Sequence, residues 1–197
     1  MGRRHNHNYN EKLLFKAIKE LILYCFDGEE FSFKIMSESD LKCFLYSVLI
    51  NLNVSMRESK IKLTQYILSN NEIIEERTSK KKIRCPIVIT EAPYSKVYKS
   101  GIKTEDHSHY CDLAIIDKDE IEFYYTYRPI LKINEIKEYY LNKYLENSVF
   151  IELKWQWGRQ VSSIIPKIKE DLNKLNQKYI KRRYLIFFDQ SGNLSGA

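Results

Sequence analysis

VFIELKWQW, residues 149–157, is an apolar run with an acid and a base set two residues apart inside it. Val149, Phe150, Ile151 and Leu153 predict a buried strand. Side chains alternate across a strand, so Glu152, Lys154 and Gln156 share one face, while Ile151, Leu153 and Trp155 face helices on the other. Charges in a core strand are costly unless each has a partner. Residues two apart stand roughly 6.6–7 Å apart along a strand. Glu152 and Lys154 therefore satisfy each other only partly, and further charged groups are expected beside them.

Two carboxylates are available on neighbouring predicted strands. Asp112 begins the apolar run DLAII, which reads as a strand covered on both faces. Glu91 ends the run PIVIT, on a strand expected to stop before Pro93. With the three strands adjacent, Glu91, Asp112, Glu152 and Lys154 meet at one edge of a sheet. Hard cations prefer oxygen ligands, so three carboxylates beside a lysine suit Mg²⁺, with Mn²⁺ as a substitute. Lysine in such a site orients or deprotonates a water, or stabilises transition-state charge.

The surrounding sequence supplies helices for this sheet. Residues 11–26 carry Leu14, Ala17, Ile18, Leu21, Ile22 and Cys25 at helical spacing. Ser37 or Ser39 caps a second helix through LKCFLYSVLINL. A third helix is expected over 56–69, a hairpin arm over 120–131 and a helix over 133–147. After the strand at 149 come a helix over 162–177, with Pro166 in its first turns, and the strand KRRYLIFFD. The expected organisation is an N-terminal helical extension (1–36), an α/β domain (37–190) and a flexible tail (191–197).

Charge is unevenly spread over the 197 residues. The net charge is +6. Residues 51–100 carry ten Lys/Arg against five Asp/Glu, whereas residues 101–150 carry six against ten. A basic chain with one acidic stretch suits a polyanion partner and a local carboxylate cluster. Lys80, Lys81, Lys82 and Arg84 form a candidate phosphate-contacting patch, equally readable as a solvated loop. Arg159, just past the tryptophans, is the better-placed candidate. Trp157 could stack on a base, although core packing accounts for it as well.

Cys25, Cys43, Cys85 and Cys111 show neither C-x-x-C nor zinc spacing and read as free thiols. No run approaches the ~18 apolar residues of a membrane span. MGRRHNHNYN lacks the apolar segment of a signal peptide. A cytoplasmic location and no membrane contact are expected.

The set Asp112 … Glu152-Leu153-Lys154 resembles the PD-(D/E)XK signature of restriction-endonuclease-like nucleases. The resemblance covers roughly residues 37–190, with a long spacer at 117–148 and Cys111 in place of the proline before the Asp. It implies a restriction-endonuclease-like core, a mixed central sheet flanked by helices. It also implies a Mg²⁺-dependent endonuclease hydrolysing DNA, with Asp112, Glu152 and Glu91 as metal ligands and Lys154 as the catalytic lysine. Glu38, in SESDLKCFLY, fits the family's alternative helix position for the auxiliary acid. The competing reading is a catalytically inactive module of the same fold that binds nucleic acid or a protein partner. In a third, the acids and lysine are merely paired. A homodimer is left open.

Overall fold

The computed structural model describes residues 8–27, 30–31, 34–52, 58–69, 72–97, 107–127, 145–156, 164–175 and 181–189. Four helices are described: α1 (Tyr9–Cys25), α2 (Glu38–Leu52), α3 (Ile121–Tyr127) and α4 (Ile165–Leu175). The central sheet has four strands, β7 (Val88–Val97), β8 (His107–Ile115), β9 (Val149–Gln156) and β10 (Arg182–Asp189), in the order β10-β9-β8-β7. β7 and β8 are antiparallel, as are β8 and β9, while β9 and β10 are parallel. The parallel pair is joined across α4, as a crossover requires. The class is mixed α/β.

Burial explains the strand sequences. Val149, Phe150, Ile151 and Leu153 are fully buried, as are Leu113, Ala114 and Ile115 on β8. Both strands are interior to the sheet, so each buries side chains on both faces. α2 lies across β7, β8 and β9 and buries Leu41, Leu45 and Leu49, one residue per turn. Its start is the expected Ser37 cap: the Asp40 N–H donates to Ser37 Oγ at 3.1 Å. Pro166 is the second residue of α4.

α1 packs on α2 and buries Leu14, Ala17, Leu21 and Cys25 in the same core. Its N-terminus is a reciprocal capping box. The Glu11 N–H donates to Asn8 Oδ1, and the Asn8 N–H donates to Glu11 Oε2, each at 2.9 Å. Glu11 also accepts from Arg182 and from the Tyr184 hydroxyl. One carboxylate thus caps α1 and ties it to β10. Burial opposes its ionisation, but Tyr184 and Arg182 outweigh that and lower its pKa to about 2. The entry to β9 is fixed similarly: Glu120 accepts from the N–H groups of Asn147 and Ser148, both at 2.8 Å.

Several expectations change. Residues 56–69 are not a helix: they include β3 (Glu58–Ile61) and β4 (Thr64–Ser69). β3 pairs with β6 (Ile83–Pro86), and β4 with β5 (Glu72–Thr78), both antiparallel. Within β3, Lys60 and Ile61 pair with Arg84 and Ile83, more than twenty residues downstream. Residues 75–84, EERTSKKKIR, expected as a loop or an exposed edge, close β5, form a loop over 79–82 and open β6, and are exposed except at Ser79. Residues 121–127 form α3 rather than a hairpin arm, with Ile121, Phe123 and Tyr124 buried. The helix expected over 133–147 lies almost wholly outside the described residues. β7 does not stop before Pro93 but continues to Val97. It is an edge strand with a register shift at Pro93/Ser95, where a missing N–H is tolerated. Asp112 lies within β8 rather than at its start.

Candidate carboxylate–lysine site

The ladder between β8 and β9 ends at Leu113 opposite Ile151. Asp112 and Glu152 are the next residues on each strand. There the Leu153 N–H donates to Asp112 Oδ2 at 2.8 Å, so a carboxylate takes a backbone donor of β9. On β7, Thr90 pairs with Leu113 and Ala92 with Cys111, which sets Glu91 beside Asp112. Glu91 has φ 49°, a left-handed conformation costing a residue with a Cβ about 1–2 kcal/mol. The expected convergence of Glu91, Asp112 and Glu152 across three strands is present.

Two lysines enter this row, and the sequence reading singled out only one. Lys42 on α2 bridges Asp112 Oδ1, at 2.8 Å, and the Glu91 carboxylate. Lys154 Nζ lies 3.0 Å from Asp171 Oδ2 on α4 and 3.5 Å from both oxygens of Glu38 on α2. Glu38 and Lys42 are one helical turn apart, so α2 presents an acid and a base to the sheet from one side. Five carboxyl groups therefore surround two ammonium groups.

The environments differ enough to separate two adjacent acids. Burial raises the pKa of Asp112, but Lys42 and the Leu153 N–H more than compensate, and it falls below its usual value. Glu152 is 5 % exposed, and burial followed by the neighbouring Asp112 charge pushes its pKa from 4.5 to about 8. Burial also disfavours both ammoniums, yet their carboxylates hold them charged. Asp112 and Glu91 raise the pKa of Lys42, and Asp171 and Glu38 that of Lys154. Buried Glu152 Oε1 has no hydrogen-bond partner among the described residues.

An orphaned, buried carboxylate oxygen beside a second carboxylate is a hard-oxygen donor set, which fits a divalent cation. Asp112 and Glu152 are the residues that fit. Glu91 stands beside Asp112 on the outer side, and Lys42 engages both of them. Among the described residues no three Asp, Glu, His or Cys side chains stand grouped as a ready metal cage.

Of the other candidates, Lys80, Lys81, Lys82 and Arg84 are exposed on the β3–β6 ribbon and its loop. Lys60 lies directly opposite Arg84 there, and Arg84 approaches Glu58 at 3.7 Å. Arg159 and Trp157 lie outside the described residues. All four cysteines are free. None of the helices in the described residues is long and apolar enough to cross a membrane.

Sequence reasoning missed Lys42 and Asp171. The signal for Lys42 was its position four residues after Glu38 on an amphipathic helix. Asp171 carried no comparable signal, because its partner is seventeen residues away on another element. The chain matches no protein-family model, no curated protein and no solved structure.

Proposed function

We propose that this chain is a metal-dependent nuclease with a restriction-endonuclease-like core, hydrolysing DNA phosphodiester bonds at Asp112, Glu152 and Lys154. The observation that carries this reading is the buried Glu152 oxygen without a hydrogen-bond partner, placed beside Asp112 where the β8–β9 ladder ends. Burying an acid there is unfavourable for folding alone. A bound Mg²⁺ would polarise a phosphate oxygen and supply a more acidic water. Asp112 and Glu152 would hold it. Asp112 is already ionised and oriented by the Leu153 N–H, while Glu152 must give up its proton to take part. Lys154, fixed by Asp171 and Glu38, would meet the developing phosphate charge. The exposed cations of the β3–β6 ribbon would contact the DNA backbone.

The test is plasmid nicking in Mg²⁺ by the full chain. The wild type should nick, and Glu152→Gln and Lys154→Ala should lose cleavage by on the order of 10²-fold or more while remaining folded. Normal cleavage by Lys154→Ala would sink the mechanism.

One observation favours a second reading, the inactive nucleic-acid-binding module. Both lysines are engaged by two carboxylates each, as paired structural charges would be. Such a protein should bind DNA equally well in chelator and should never nick it.

A further inference from the structure

The Lys42 ammonium sits between two carboxylates on adjacent strands, Asp112 and Glu91. That is the position a hard cation takes when two carboxylates share it. The orphaned Glu152 Oε1 is a separate indication that the cluster is built to hold something more. Lys42 is borne on α2, which is anchored below it by Leu41 and Leu45. Its side chain is 20 % exposed, so its flexible four-carbon stem has a way out toward solvent without moving the helix. Glu91, its outer partner, is 62 % exposed and held in a left-handed backbone conformation.

We propose that Lys42 is an internal counter-ion that competes with a divalent metal ion for Asp112 and Glu91, so that metal binds fully only when the Lys42 ammonium has swung away. This rests on the metal-dependent reading of the site. A nucleic-acid phosphate offers the displaced ammonium a new partner. DNA and metal should therefore bind cooperatively, each raising the affinity for the other by the same factor.

The experiment is calorimetric titration of Mn²⁺ into the full chain as wild type, Lys42→Met, Lys42→Arg and Asp112→Asn, with and without duplex DNA. Lys42→Met should bind Mn²⁺ roughly tenfold more tightly than wild type or better, because a like charge has left the site. Lys42→Arg should stay as weak as wild type, and Asp112→Asn should lose binding. Duplex should tighten Mn²⁺ binding to the wild type more than to Lys42→Met. If Lys42→Met binds no more tightly than wild type while Asp112→Asn abolishes binding, the metal site stands and the counter-ion role of Lys42 is overturned. If no variant binds Mn²⁺ even with duplex present, the metal-site reading itself falls and takes this role with it. Should Lys42→Met not fold, Lys42→Gln carries the same comparison.

Discussion

Lys154 Nζ lies 3.0 Å from Asp171 Oδ2, joining the central strand β9 to α4 across seventeen residues of chain. Asp171 is 7 % exposed at its side chain and Lys154 15 %. Removing Asp171 leaves the largely buried Lys154 ammonium with only the more distant and more exposed Glu38 carboxylate, at 3.5 Å. Asp171→Asn is therefore expected to destabilise the protein by about 3 kcal/mol, read from urea unfolding. The double variant Lys154→Met/Asp171→Leu should recover most of that loss. A double variant as unstable as the single would show that the pair does not act as a unit.

Glu152 makes stability depend on pH in the metal-free protein. Its pKa is 4.5 when unperturbed and about 8 in the fold. Between these values the folded chain holds a proton that the unfolded chain has released, so stability falls as pH rises from about 4.5 to about 8. The whole loss should be on the order of a few kcal/mol. Asp112 acts oppositely: its lowered pKa contributes stability above its usual value, which is lost as pH falls through the folded value. Glu152→Gln should flatten the slope between pH 5 and 8, measured by unfolding midpoints at several pH values. A slope unchanged in that variant would remove Glu152 as its source.

Glu11 gives the reverse slope at lower pH. Its folded pKa of about 2 lies below the ordinary 4.5, so its contribution is fully present above 4.5 and disappears as pH falls toward 2. Solvent at the partly exposed Arg182 screens the pair and reduces the effect to about 1–2 kcal/mol. Glu11→Gln should lose that amount at pH 7 and show weaker acid sensitivity. Hydrogen exchange should then report α1 loosening first, because the same carboxylate caps α1 and holds Arg182 and Tyr184 of β10.

The ribbon offers a prediction in which stability and binding move in opposite directions. Lys60 and Arg84 are directly opposite each other on β3 and β6, and like charges so placed destabilise a sheet. Lys60→Ser/Arg84→Ser is expected to stabilise the fold by a few tenths of a kcal/mol, about 0.3. If both side chains contact phosphates, the same variant should bind duplex DNA more weakly. The slope of log affinity against log salt should then become shallower by about 1.8. An unchanged slope would separate the ribbon from DNA.

The strands of the central sheet were legible because their signal is local. YCDLAII and VFIEL are apolar on both faces, and that composition suits interior strands of a sheet covered on each side. The helices at 38–52 and 165–175 were legible for the same reason, through the Ser37 cap, the spacing of Leu41, Leu45 and Leu49, and Pro166 near a helix start. The ribbon was not legible as strand, because a short apolar–polar segment becomes a strand only when a distant partner accepts its backbone hydrogen bonds. Ile121–Tyr127 became helical in the same context-dependent way, with Ile121, Phe123 and Tyr124 turned into the core.

At the site, the sequence by itself determined that Glu152 and Lys154 share a face of a buried strand and need partners. Tertiary structure alone decided which partners they have. Strand register set Asp112 beside Glu152 and Glu91 beside Asp112. Helix packing then delivered Lys42 and Glu38 from one element and Asp171 from another. Alternation along a strand follows from backbone geometry and is written in the spacing of residues. The electrostatic environment of a buried charge is set by groups far away in the chain, and no local pattern encodes it.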